Sequence, residues 1–415
     1  MNFKSHALTL ALFVEKYAPI WSEEIMNEYP ETINDYPQEW IELLDTLTPE
    51  ELYQVDCKVQ IKKIEGSSFQ LFMQDIKELS FVEFIPDEAE LPLEDWAFNG
   101  VKKKKRHEIQ KITPVLKKLR DLYPFDHVVD IGGGVGHLSR VLSHYHQIPS
   151  LSVDQNNEFQ EIGKERLGKF RKIDGARDVE FINLTFGAEG NEKTLKRIFN
   201  NKSLNLGLHT CGPLANMLIQ AAIDHKTMGL LSFGCCYHKM NPKTDFPLSE
   251  FYKKNNFPVL NLYALSLATR SHAEMTFETY TTKERVKNYR YALHLFLMRH
   301  FNNKYFTDVG ECHISIYLKP FSFYIKDKLR ELKLEHPFTD EEFNEFYQSN
   351  ELQRELRIMF LCNIIRWQLG RVLEVYLQVD RCLYLEENGF EVKLEAYFNE
   401  ALSPRNLGIL ALLKS

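Results

Sequence analysis

His127-Val128-Val129-Asp130-Ile131-Gly132-Gly133-Gly134-Val135-Gly136-His137 is the stretch that decides the fold. Its first five residues read as a short apolar strand carrying one acid near its end. The next five are nearly all glycine, and a helix is expected from His137 to Tyr145. A glycine-rich turn between a strand and a helix lets the backbone approach a ligand closely. It also aims the free amides of the helix N-terminus at the ligand's polar end. Of the 19 glycines in the chain, four stand at 132, 133, 134 and 136, so a glycine-poor sequence spends them here.

The spacing narrows the ligand. A dinucleotide fingerprint needs GxGxxG. Counted from Gly132 its last position is His137, and counted from Gly134 it is Ser139, so pyrophosphate binding and nicotinamide chemistry are disfavoured. Gly132, Gly134 and Gly136 instead give GxGxG after the acid Asp130, the usual loop for S-adenosylmethionine. Asp154 ends the next expected strand (151–154), where a carboxylate can accept from both ribose hydroxyls. Asn183 ends a third strand, at the place the adenine end usually occupies. The plainer alternatives are a tight turn for the glycines, a solvated loop acid for Asp154 and a turn-forming Asn183.

Working outward, strands are expected at 204–208 and 228–233, with a helix from Leu214 to Asp224 between them. Strands alternating with helices predict an α/β fold with a parallel, doubly wound, Rossmann-like sheet. Two late strands, 391–398 and 407–413, are joined through Ser403-Pro404-Arg405-Asn406 and complete the same sheet. The expected organisation is therefore a helical segment over 1–100, a first part of the sheet domain over 101–242, a helical insertion over 243–385, and the last strands over 386–415. Thr48-Pro49-Glu50-Glu51 reads as a capping box, and 87–92 as an acidic linker.

Composition excludes several classes. Across 415 residues, 44% are hydrophobic and 26% charged, which is a globular balance with material for a large core. The net charge of −7 provides no global attraction to nucleic acid or an anionic membrane. The apolar run 7–14 is too short to span a bilayer and reads as one face of a packed helix, so no membrane association is expected. Seven scattered cysteines without a CxxC pair fit a reducing, intracellular and most simply cytoplasmic setting.

Two further motifs follow the carboxyl ends of expected strands, where open α/β sheets hold their ligands. They are His209-Thr210-Cys211-Gly212 and Cys235-Cys236-Tyr237-His238. His209 or His238 is suited to take a proton from a nucleophile, Tyr237 to stack on or bond a planar acceptor, and Cys211 to line the pocket. These cysteines and histidines match no standard zinc spacing, so no metal is expected; a covalent role for Cys211 and a simple core role for Cys235 are the other readings. The run Lys102-Lys103-Lys104-Lys105-Arg106, followed by His107-Glu108, is either a solvated helix start or a contact for an anionic acceptor such as RNA or an acidic protein. Arg405 is a second candidate for an anion.

Taken together, these residues resemble the methyltransferase-like 25 family of S-adenosylmethionine-dependent methyltransferases. The likeness rests on the basic run ending at Glu108, on Val129 through Ser139, and on Gly207-Leu208-His209-Thr210-Cys211-Gly212. It continues through Gly234-Cys235-Cys236-Tyr237-His238 and Ser403-Pro404-Arg405-Asn406, with Tyr36-Pro37-Gln38-Glu39-Trp40 similar to the family's N-terminal segment. The resemblance implies methyl transfer to an acceptor that is not identified by it: protein, RNA or small molecule. The catalytic segment is also similar to that of the tRNA acceptor-stem 2′-O-methyltransferases, although Leu208 stands where those carry lysine and Tyr237 replaces a histidine. A non-catalytic binding module on the same fold is the remaining alternative.

Overall fold

A computed structural model describes residues 1–57, 61–85, 93–169, 176–187, 191–270, 275–303, 307, 309–310 and 312–414. The expected linker at 87–92 lies outside them. The described chain forms two compact units: Met1–Glu15 with Leu79–Ala273 and Arg371–Ser415, and Lys16–Glu78 with Glu274–Gly370.

The first unit is built on a seven-stranded sheet: β1 (His127–Ile131), β2 (Ser150–Asp154), β3 (Val179–Asn183), β4 (Ser203–Cys211), β5 (Gly229–Cys235), β6 (Phe390–Ala396) and β7 (Leu407–Leu413). Their order is β3-β2-β1-β4-β5-β7-β6. The first five strands are parallel, and β7 runs antiparallel to both β5 and β6. This is the Rossmann-like sheet expected from the sequence. The alternation of side chains along β1 creates its two faces. Val128 packs with Ile109, Ile112, Leu116 and Leu138 on one side. Val129 and Ile131 pack with Val153, Ile182 and Leu218 on the other. The β6 edge is covered where Ile85 N donates to Ala396 O (3.0 Å) and Ala396 N donates to Glu83 O (2.8 Å), which blunts an otherwise open ladder.

Strand order reverses between β1 and β4, and that switch point is where α/β sheets open a crevice for ligands. The helix Lys103–Leu122 buries Ile109, Ile112, Leu116 and Leu119 on the sheet. Its first turn, with the basic run, therefore lies near the crevice. The helix Phe3–Lys16 buries Ala7, Leu10, Ala11 and Val14, the packed face expected of the apolar run. Among the described residues no helix is long and apolar enough to cross a membrane.

Compact grouping cuts across the segments drawn from the sequence. Residues 243–270 and 371–385 gather with the sheet, and the reason is polar as much as apolar. Buried Asp380 accepts from Leu248 N (2.7 Å), Ser249 N (2.9 Å) and Ser249 Oγ (2.6 Å). The same helix, Gly370–Glu387, supplies Glu374, Gln378 and Arg381 to the turn after β5.

The second unit is helical. It includes Gln38–Asp45, Pro49–Asp56, Phe277–Phe301 and Asn350–Gln368. The capping box is formed as expected: Glu51 N donates to Thr48 Oγ1 (3.2 Å), and Thr48 N to Glu51 Oε2 (2.9 Å). Its aromatic stripes become ring clusters, Trp40 with Phe69 and Phe72, and Tyr289 with Phe321, Tyr324 and Tyr347.

Candidate functional site

The glycine loop adopts the conformation its residues allow. Gly132, Gly134 and Gly136 have φ of 71°, 58° and 70°, a left-handed region that costs a side chain strain. Gly132 N and Gly133 N donate to Val153 O (2.9 and 3.2 Å), which ties the loop to β2. The glycines differ in what surrounds them. A Cβ on Gly134 would meet nothing within 4 Å, whereas one on Gly136 would lie 2.7 Å from the Phe181 ring. Gly134 thus borders open space, and Gly136 is needed for packing as well as for its turn.

Asp154, at the end of β2, faces this loop. Its Oδ2 accepts from Gly134 N (2.9 Å) and its Oδ1 from Asn156 N (2.8 Å). The carboxylate is half-buried, so each oxygen keeps a lone pair for a ligand. Asn183 is exposed and donates through Nδ2 to Asp154 O (3.1 Å) and Gln155 O (3.0 Å). Its amide nitrogen braces the turn after β2. Asp130 is buried beneath the loop, with Ser139 Oγ donating to its Oδ2 (2.8 Å). Burial pushes its carboxyl pKa up, against the pull of Lys105 and Ser139. Gln160, not singled out in the sequence, donates through Nε2 to Gly134 O (2.8 Å), and its Oε1 is buried without a partner.

The other wall comes from β4. Its ladder with β5 is interrupted between Leu208 and Thr210, where His209 takes a left-handed φ of 65°. That bulge aims the imidazole at the helix Lys103–Leu122, and Nε2 lies 2.7 Å from Glu108 Oε1. Ser403 Oγ donates to the same oxygen at 2.7 Å. Burial pushes the Glu108 carboxyl up, but the bonds from His209 and Ser403 and the charge of Lys105 bring it below its ordinary value. An ionised Glu108 accepts only, so the Nε2 facing it is the nitrogen that carries a proton, and in a neutral ring the lone pair then sits on Nδ1. Lys105 is itself half-buried, and burial lowers its pKa while Asp130 and Glu108 oppose the change. Lys104 Nζ lies 3.7 Å from Glu108 Oε1. The basic run is therefore partly engaged with the site's own acids. His107 also has a local task, accepting from Asn399 N at 3.2 Å.

Cys211 ends β4 opposite Cys235, and its Sγ lies 3.4 Å from Cys235 Sγ and 3.5 Å from Cys236 Sγ. The hydrogen bond with Cys235 pulls the Cys211 thiol well down, with help from Cys236 and the Lys239 charge. The hydrogen bond with Cys211, together with burial, pushes the Cys235 thiol far up.

One acceptor-pocket expectation needs correction. Tyr237 has 0% exposure and offers no face to a planar acceptor. Its hydroxyl lies 3.0 Å from Gly234 O and 3.1 Å from Glu374 Oε1, and accepts from Gln378 Nε2 at 2.9 Å. Its neighbour His238 is exposed and turned to Thr269, whose Oγ1 lies 3.3 Å from Nδ1. The structure thus pairs His209, not His238, with a buried carboxylate. Arg405 Nη1 lies 3.5 Å from the carbonyls of Ala268 and Arg270, which draws it to a neighbouring backbone.

Ser403 and Gln160 are polar residues that sequence reasoning did not place at the site, and Glu108 was expected only near the glycine loop. Glu108 and Ser403 stood within the quoted motifs, but their convergence on one oxygen joins positions 295 residues apart.

Comparison with known proteins agrees with this architecture. Residues 104–243 match a family described as a methyltransferase domain. A probable methyltransferase-like protein 25 of Mus musculus is 24% identical over 296 residues, covering 64% of this chain and 46% of that protein. The Homo sapiens probable methyltransferase-like protein 25 is 27% identical over 115 residues, covering 25% of this chain and 19% of that one. The matched regions thus span less than half the length of either relative. The chain carries a methyltransferase domain over residues 104–243 and resembles the methyltransferase-like 25 proteins.

Proposed function

We propose that this chain is an S-adenosylmethionine-dependent methyltransferase acting on a nucleophile of an RNA, protein or small-molecule acceptor. The observation that carries the reading is the left-handed Gly132–Gly136 loop joined to Asp154 at the β1/β4 switch point. The residues fit such a cofactor. Gly134 borders a space that a Cβ would enter, and Asp154 retains acceptor capacity suited to ribose hydroxyls. Gly132 and Gly134 would hold the amino-acid end, Asp154 the ribose, and the free edge of Asn183 the adenine end. Asp130 and Gly136 act from below, holding the loop's shape. When bound, the cofactor supplies a methyl group activated by a sulfonium.

The chain's own residues then align the acceptor and handle its proton. Glu108 fixes the His209 tautomer and ring direction through Nε2, with Ser403 fixing Glu108. His209 Nδ1 is left to accept a proton from the attacking group, and among the described residues no hydrogen-bond partner is seen at that nitrogen. Lys105 places a cation beside the crevice, where an anionic acceptor gains from it. Cys211 lines the adjoining wall.

Calorimetry tests the cofactor. S-adenosylmethionine should bind the unmodified chain, and Asp154→Ala should weaken binding about 10- to 100-fold, the cost of losing charged hydrogen bonds. Absence of binding by the unmodified chain contradicts the reading. Transfer of a labelled methyl group into one fraction of a cell extract identifies the acceptor class. Cofactor binding with no transfer to any fraction supports the non-catalytic alternative.

A further inference from the structure

We propose that Cys211, Cys235 and Cys236 form a zinc site with three thiolate ligands and a fourth position open to water or a substrate atom. Their three sulfurs lie within 4.8 Å of one another, with Cys211 Sγ at 3.4 and 3.5 Å from the other two. With zinc–sulfur bonds of about 2.3 Å, the edge of a coordination tetrahedron is about 3.8 Å. Two of the three separations are a few tenths of an ångström short of that edge, and the third is no longer than 4.8 Å, so the thiols stand near one face of such a tetrahedron.

The backbone holds each thiol independently. Cys211 and Cys235 are the last, directly paired residues of β4 and β5. Gly212 N donates to Cys235 O at 2.9 Å, which keeps the strand ends together. Cys236 takes a left-handed φ of 52°, and so turns back to bring a third sulfur onto Cys211. A residue with a side chain is strained in that region, and such strain gathers at functional positions.

Charge and ligand chemistry agree. Three thiolates and one Zn²⁺ leave a single negative charge, and the Lys239 ammonium beside Cys211 and Cys236 balances it. Thiolates select zinc over magnesium or calcium. The nearby imidazoles are engaged elsewhere, His209 with Glu108 and His238 with Thr269, which leaves the fourth position open. The ligands come from two strands 24 residues apart, so no compact zinc spacing marks them in the sequence. A Cys211–Cys235 disulfide is the competing use of these atoms, but it leaves the convergence of the third sulfur without a role.

Metal binding is tested without methyl transfer, so its outcome is separate from that of the cofactor reading. The full chain, purified without chelator, should carry about one zinc by elemental analysis. X-ray absorption should show three sulfurs and one lighter atom around the metal. Cys211→Ser and Cys236→Ser should each lose the metal, whereas Cys57→Ser and Cys312→Ser should retain it. Circular dichroism checks folding. If the serine variants unfold, cobalt titration of the metal-free unmodified chain decides through the thiolate charge-transfer band. A chain that is metal-free as isolated and takes up neither zinc nor cobalt overturns the proposal. So does a metal shell dominated by nitrogen and oxygen, or a Cys211–Cys235 disulfide in peptides mapped without reduction.

Discussion

Gly134 and Gly136 have the same backbone sign but different surroundings, and this separates ligand binding from folding. Gly134→Ala puts a Cβ into open space at the loop. It should cost about 1 kcal/mol in stability, from the left-handed backbone alone, and weaken S-adenosylmethionine at least about tenfold by intruding on its place. Gly136→Ala meets the Phe181 ring at 2.7 Å and should cost about 1–3 kcal/mol. Thermal unfolding beside calorimetry distinguishes the two. Glu108→Gln tests the carboxylate that orients His209. Cofactor affinity should stay within about twofold, while kcat falls about 100-fold, the usual scale of a lost acid–base arrangement. Equal loss of both would make Glu108 a packing residue.

At the scale of elements, strand ends proved harder to read than strands. β1, β3 and β7 follow the expected bounds, because short apolar runs between turn residues mark them clearly. β4 continues past 208 to Cys211, since the His209 bulge restores the ladder to β5 after one unpaired residue. No local pattern announces a bulge of that kind. Tyr237 was legible as a residue near the site but not as a buried one. Its environment comes from Glu374 and Gln378, more than 130 positions away. Tyr237→Phe should therefore cost about 1–2 kcal/mol by leaving those partners unsatisfied. Denaturant unfolding should register that loss while kcat for methyl transfer stays within about twofold. A large fall in kcat at unchanged stability would return Tyr237 to the catalytic group.

For the whole molecule, the Rossmann-like class was legible because period-2 and period-3.6 patterns alternate between 127 and 235. The grouping of helices was not, because it depends on pairings of distant segments. In the helical unit Glu24 illustrates this. It meets Arg366 Nη1 at 2.9 Å, Lys287 Nζ at 3.3 Å and Tyr291 Oη at 3.2 Å. Burial pushes its carboxyl up, but the two cations outweigh this and hold its pKa at about 2, below the ordinary 4.5. A depressed folded-state pKa contributes stability above the unfolded value, and that contribution is lost as pH falls from about 4.5 toward 2. Acid titration of the unfolding midpoint should show this loss, and Glu24→Gln should flatten it. At neutral pH the same variant should be about 3 kcal/mol less stable, because Arg366 and Lys287 lose their counter-charge.

Binding of S-adenosylmethionine by the Gly132–Gly136 loop and Asp154 at the sheet's switch point is the proposal on which the methyl-transfer reading depends. The most direct measurement is a crystal structure of the chain with S-adenosylhomocysteine, the product that retains every binding group. Density is expected with the amino-acid end along Gly132 and Gly134 and both ribose hydroxyls on Asp154. A saturated crystal with that crevice empty, or with the nucleoside held elsewhere, would contradict it.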